Sequence, residues 1–257
     1  MPFIPQLPAR CSASAGSMPV VVVLLCASIA AACQPPKPPP PRPTEAEIAT
    51  RERTRQTRAN QLSTDSKHAK RKDGLTGGSL VFEDNFDGPG LSDKWSVKLP
   101  GEWTVTAGEL KANRVEVYDD RNRGVWLNVP LPEKTRVEFT ARSLSKDGDT
   151  KCEVFATEQK HEAGYSIIYG GWGNTINTIC RLGEHEPRRV VQVPHQRVER
   201  AKSYKWTIVR TDNAVRWYLD GKFMIAYDDA KPVKGKWFAF NNWLSDIRFD
   251  NVKIWKL

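Results

Sequence analysis

The sequence predicts an all-β sandwich of two antiparallel sheets, preceded by an export segment and a linker. Three observations carry this. From position 79 onward, short runs rich in Val, Ile, Phe, Tyr and Trp recur between turn residues. Several of these runs alternate apolar and polar residues, as a strand with one buried face does. No window of a dozen residues in the same region keeps a helical period.

The residues that build cores are unevenly placed along the 257-residue chain. All nine Trp and all six Tyr lie after residue 78, while 34–78 holds no Phe, Trp, Tyr, Val or Cys. That stretch has too little apolar surface to offset its chain entropy. The expected division is therefore a signal peptide over 1–32, a flexible linker over 33–78 and one folded domain over 79–257. At 179 residues the last is long enough for a real core.

The first segment ends in VVVVLLCASIAAAC, residues 20–33. This run is shorter than the ~20 residues a membrane-spanning helix needs. Arg10 is the only charge before it, a sparse version of the basic start of an export signal, and Met18 is an alternative start. IAAAC resembles the bacterial lipobox, with Ala30 where Leu is commoner. The resemblance implies that Cys33 is acylated and becomes the first mature residue, and that Cys11 and Cys26 are removed. A plain secretory signal with an incidental cysteine is the other reading. Gln34 stands where Asp would resemble an inner-membrane retention signal, so the expected address is the outer membrane of a bacterial envelope.

Seven prolines follow between 35 and 43, a composition that favours an extended polyproline spacer. Beyond them TEAE has the form of a helix start, with Thr44 as N-cap and Glu47 three residues later. Too few apolar residues follow to make a stripe, which leaves a solvated basic tether or a contact with lipid phosphates or cell-wall anions. The net charge of +9 divides into +1 for 1–33, +5 for 34–78 and +3 for 79–257. A nucleic-acid-binding module would concentrate its positive charge on the folded part. This chain does not, so no nucleic-acid partner is expected.

Within the domain, SLVFED, KWSVK, EWTVTAGELKA and RVEVYD read as the first strands, followed by GVWLNVPL. In RVEFTAR, Val137, Phe139 and Ala141 face one way and Glu138, Thr140 and Arg142 the other. KCEVFAT, GYSIIYG, TINTICRL and RRVVQV follow, then YKWTIVRT. AVRWYLD and KFMIAYD form a hairpin through Asp220-Gly221, residues that tolerate the positive φ of a tight turn. KWFAFNN and IRFDNVKIW close the domain. Trp206, Trp217, Trp237 and Trp255 alternate with apolar residues and are expected in the core.

The opening LVFEDNFDGPGLSDKW, then VTAGELKA, VRWYLDGKF and the closing IRFDNVKIW resemble the concanavalin A-like jelly rolls. These include family 16 glycoside hydrolases, laminin G-like modules and 3-keto-disaccharide hydrolase domains. The resemblance implies a jelly roll over nearly all of 79–257. It also implies a structural calcium ion held by the carbonyls of Asn85 and Gly108 and the carboxylate of Asp250. Family 16 enzymes carry Glu-x-Asp-x-(x)-Glu on one strand, and no such motif occurs here. Glu153 is followed on its face by Phe155 and Thr157, and Glu184-His185-Glu186 sits in a charged turn that reads as solvated loop. Enzyme activity is therefore not the expectation; a glycosidase using an unrecognised carboxylate pair is the alternative.

Binding is better supported. In GYSIIYGGWGNTINTICRL, residues 164–182, Trp172 sits on a glycine-rich bend, a suitable place for an aromatic platform against a pyranose. Asn174, Arg181 and Glu153 are its expected polar companions. A hydrophobic plug at the end of the sandwich is the other reading of Trp172. Once Cys11 and Cys26 are cleaved and Cys33 acylated, Cys152 and Cys180 remain, and in an exported domain the pair is expected to form a disulfide. No zinc-ligand spacing is present. The expected protein is a monomeric, envelope-anchored lipoprotein that binds a glycan or polysaccharide without cleaving it.

Overall fold

The computed structural model describes residues 44–99, 102–113, 124–193 and 196–257. Cys33, the proline-rich run over 35–43 and RVEVYD, expected to be a strand, lie outside the described residues. Helix α1 (Glu45–Ala69) precedes the strands β1 (Ser79–Asp84), β2 (Trp95–Val97), β3 (Trp103–Thr106), β4 (Glu109–Ala112), β5 (Val125–Leu127), β6 (Thr135–Ser143) and β7 (Thr150–Ala156). Next come β8 (Tyr165–Gly170), the one-turn segment α2 (Gly171–Asn174), β9 (Ile176–Arg181), β10 (Arg189–Val193), β11 (Ser203–Arg210), β12 (Ala214–Leu219), β13 (Lys222–Asp228), β14 (Trp237–Asn241) and β15 (Ile247–Lys256). Among the described residues no helix is long and apolar enough to cross a membrane.

The strands form two antiparallel sheets. One runs β13-β12-β11-β6-β15-β4-β3, with β1 also pairing β15; the other runs β10-β9-β8-β7-β14-β5-β2. The alternation in β6 holds, with Val137, Phe139 and Ala141 buried against the second sheet. Trp206 stacks on Trp217 at 4.7 Å, and Phe240 of β14 stacks on Phe249 of β15 at 4.0 Å, joining the two layers. The β12–β13 hairpin turns through Asp220 (φ 50°) and Gly221 (φ 74°), as its sequence predicts.

Three expectations need correction. Cys152 and Cys180 are both buried and both free. β8 separates their strands: Cys152 pairs with Ile167, and Ile167 with Ile179, so these three share one face. Glu153, Ser166 and Cys180 share the other. The two thiols therefore point to opposite sides of the sheet, and no disulfide can join them. Phe155 also fails to follow Glu153 on its face. A bulge causes this. Val154 and Phe155 together oppose Phe238, Phe155 adopts φ 56°, and its ring turns into the core.

The segment expected to be a flexible linker contains α1, whose last turns dock on the edge of the first sheet. Asp65 accepts from the backbone N–H of Ala226 on edge strand β13, and Gln61 donates to the Ala226 carbonyl. The buried His68 ring lies 2.7 Å from Asp228. The chain then crosses the outer face of the sheet. There Asp73 receives the fully buried Arg216 at 2.9 Å, and the Gly74 and Gly77 carbonyls accept from Arg136. Sheet edges and buried arginines both require such partners.

Trp206 and Trp217 lie in the core, but Trp237 and Trp255 are half-buried on the outer faces. The Trp255 ring lies under the Arg136 guanidinium at 4.7 Å and donates to Glu138.

Candidate functional site

The outer face of the second sheet is largely covered, and between the covering loops a groove of about 610 Å3 remains. That lies within the usual range for small-ligand sites, about 300–1,000 Å3. Its floor is laid by strand alternation. Asp149, at the entry to β7, and Lys151, two residues on, face the groove beside Ile168 of β8 and Asn241 of β14. Glu153, the next residue on that face, lies beneath the floor and is fully buried.

Two loops bring the remaining charges. The turn after β7 folds back so that His161 Nδ1 meets Glu153, with Asn241 Nδ2 donating to the same oxygen at 3.3 Å. The loop between β9 and β10, expected to be solvated, instead carries Glu184 inward, where it is 8% exposed. Its Oε2 lies 3.2 Å from Lys151 Nζ, and its Oε1 lies 3.6 Å from His161 Nε2. Asp149 Oδ2 stands 3.9 Å from the same Nζ. Asp149 Oδ2, Glu153 Oε2 and Glu184 Oε1 are buried and accept no hydrogen bond.

These contacts set the protonation states. Burial pushes the Asp149 carboxyl up to about 6, with Lys151 opposing the rise and Glu184 adding to it. Burial disfavours the Lys151 ammonium, yet Asp149 and Glu184 together hold it above the ordinary lysine value. Burial likewise opposes charge on His161, and Glu153 outweighs it, so the ring titrates above an ordinary histidine. Glu184 is held below the usual carboxylate value: Lys151 and His161 overcome its burial. Below about pH 6 the floor thus holds one protonated carboxyl beside one ionised carboxylate, bridged by a single ammonium, and above that pH both are ionised.

Aromatic residues form the mouth. Trp172, 36% exposed, and Trp243, 48% exposed, both line the groove. Trp172 adopts φ 50°, ψ 58°, the left-handed region, and neighbouring Gly173 and Gly170 have φ 69° and 74°. A left-handed tryptophan is strained by about 1–3 kcal/mol, and such strain persists where surrounding structure fixes it. Arg189 covers one side of its ring at 4.7 Å, and His185 meets it edge-on at 6.1 Å.

Of the polar companions expected for Trp172, Glu153 sits below the floor and the other two serve the framework. Asn174 is buried; its Nδ2 donates to the Lys146 and Val198 carbonyls, and its Oδ1 accepts from Val198 N–H. Arg181 pairs with Asp229 at 2.7 Å and bonds the Lys231 carbonyl, and it does not line the groove. The expected calcium donors fall in an acidic neighbourhood. Asp250 titrates above an ordinary aspartate through burial, with Glu109, Asp87 and Asp84 adding to the rise. Among the described residues no group of three or more His, Cys, Asp or Glu side chains is arranged to hold a metal ion. A cation there would depend on the main-chain oxygens.

No protein-family model matches the chain, and no curated protein matches it. Solved structures do. One described with endo-acting O-glycanases of the human gut microbiota that initiate mucin breakdown has 17% identity and TM-score 0.53, over 70% of this chain and 100% of its own. The carbohydrate-binding module CBM66 from Bacillus subtilis has 14% identity and TM-score 0.50, over 63% of this chain and 96% of its own. A laminarinase from Flavobacterium sp. UMI-01 has 12% identity and TM-score 0.51, over 69% and 100%. At such identities the likeness is one of fold alone. The two antiparallel sheets belong to a jelly-roll sandwich of the concanavalin A-like kind.

Proposed function

We propose that this protein binds a glycan in the groove over β7, β8 and β14 without cleaving it. The single observation that carries the reading is that two exposed tryptophans, Trp172 and Trp243, line one groove together with the buried polar groups Lys151, Glu184 and Asn241. Flat apolar faces above and hydrogen-bonding groups below suit a ring that is apolar on its faces and hydroxylated at its rim. A non-catalytic role is supported by the pairing of the acids, Glu153 with His161 and Glu184 with Lys151. Each carboxylate thus has one oxygen already engaged by a basic side chain. Trp172→Ala and Trp243→Ala should each weaken binding of oligosaccharides about tenfold or more, read by calorimetry. A loss of more than roughly 4 °C in Tm for Trp172→Ala would instead identify the plug.

A second reading, glycoside cleavage, is favoured by the divergent titration of Asp149 and Glu184. Such divergence is how paired carboxyls divide the acid and base roles. Release of reducing ends that disappears in Asp149→Asn and Glu184→Gln would establish it.

The cellular setting extends the proposal. IAAAC ahead of the proline spacer supports a lipid anchor on Cys33 in the outer membrane, with the domain as a monomer. Mass spectrometry of the mature N-terminus tests the anchor. A structural calcium at Asn85, Gly108 and Asp250 is supported by the surplus of acids around Asp250. A melting curve unchanged by a strong calcium chelator would refute it.

A further inference from the structure

Among the described residues, four carboxylates line the groove: Asp147, Asp149, Glu162 and Glu184. The facing basic groups are Lys151 and the imidazoles of His161 and His185. Lys151 is committed to Glu184 and Asp149, and His161 to Glu153 beneath the floor. Negative charge is therefore left over at the open side. Two of its buried oxygens, Asp149 Oδ2 and Glu184 Oε1, accept no hydrogen bond and require a donor. A neutral sugar hydroxyl would satisfy their hydrogen bonding but not their charge. An ammonium group would satisfy both, whereas a uronate or sulfated sugar would be repelled.

We infer that the groove selects a glycan bearing free amino groups, a deacetylated hexosamine polymer, whose ammonium meets Asp149 and Asp147 while its rings stack on Trp172 and Trp243. The inference rests on the glycan-binding reading and narrows its ligand class. The tryptophan walls favour a sugar over a basic peptide because they offer two flat faces to stack against, with an ammonium also attracted to the indole face. The carboxyl of Asp149 faces Lys151 from its own strand, Glu184 from the β9–β10 loop and His161 from the β7–β8 turn. The backbone N–H of Trp243 meets it from the β14–β15 loop. An incoming cation joins Lys151 and His161 as a third positive neighbour within the groove and drives Asp149 to ionise, so binding should release a proton in mildly acid solution.

The test is calorimetry on the full chain with three oligomers of equal length: fully deacetylated glucosamine, its N-acetylated counterpart and a neutral gluco-oligomer. The deacetylated oligomer should bind at least tenfold more tightly than the other two. Asp149→Asn should erase most of that preference. Asp147→Asn, at an exposed position that leaves folding intact, should reduce it severalfold. Equal or tighter binding of the acetylated or neutral oligomer overturns this inference and leaves the glycan reading standing. No binding of any oligomer overturns both. Poly-lysine bound as tightly, with the same dependence on Asp149, would overturn the sugar as occupant.

Discussion

Lys151 Nζ lies 3.2 Å from Glu184 Oε2, and both side chains are at least 90% buried. Deleting one partner of such a pair leaves an uncompensated charge, which costs about 3–5 kcal/mol, more than the pair itself contributes. Lys151→Met should therefore destabilise strongly, because Asp149 and Glu184 then lose the ammonium between them. The double variant Lys151→Met/Glu184→Gln should recover a large part of the loss. Chemical denaturation of both variants checks the asymmetry.

Asp149 gives a pH dependence of defined sign. Its folded pKa is raised to about 6 from an ordinary 3.8, so the folded protein holds a proton that the unfolded chain gives up. Its contribution is fully present below about pH 4 and is lost as pH climbs through about 6. Asp149→Asn should remove this decline, gaining about 1–3 kcal/mol relative to wild type near neutral pH. Equilibrium unfolding across pH 4 to 8 reads the difference.

Asp73 should matter although it lies ahead of the first strand. It receives Arg216, whose side chain is fully buried on β12, together with Arg71. Asp73 is itself 43% exposed, so solvent screens the pair. Asp73→Ala should cost about 1–3 kcal/mol, mainly the unmet hydrogen bonds of Arg216. A chain cut to 79–257 should melt lower still and aggregate more readily, since the β13 edge loses Asp65 and Gln61.

The two thiols make a negative test. Reductant should leave Tm unchanged, and both cysteines should react with a thiol reagent only on unfolding. Burial, with Glu184 nearby, pushes Cys180 up to about 12, which keeps it unreactive in the folded state.

The strands were legible because their evidence is local: the alternation in RVEFTAR and the Asp-Gly turn each need only a few neighbouring residues. The docking of 61–78 was not, because Asp65, His68 and Asp73 find their partners roughly 140 to 160 residues away. The cysteine pairing failed for a related reason: facing directions on β7 and β9 depend on the register of β8 between them. In the groove, one signal was present and unused. Asp149-x-Lys151-x-Glu153 places three charges on one strand face, upstream of Glu153, whereas the downstream residues Phe155 and Thr157 carry none. Glu184 had no such signal, since the fold alone turns its loop inward. Trp172 stands out in sequence, whereas Asn174 and Arg181 are near it only along the chain, which a sharp bend makes a poor guide to nearness in space.

The bend that carries Trp172 is fastened at its far end by Asn174, whose single side chain holds Lys146 and Val198 from two other loops. No Cβ would fit at Gly170 or Gly148, where Asn174 Oδ1 would lie 2.6 and 3.0 Å away. An indole set on so tightly packed a support has little rotational freedom left to surrender when a ligand arrives. Its contacts therefore pass into affinity with a small ordering penalty. Loosening the support at Asn174, with the indole itself untouched, would weaken the complex through entropy alone, visible as a less favourable binding entropy at nearly constant enthalpy.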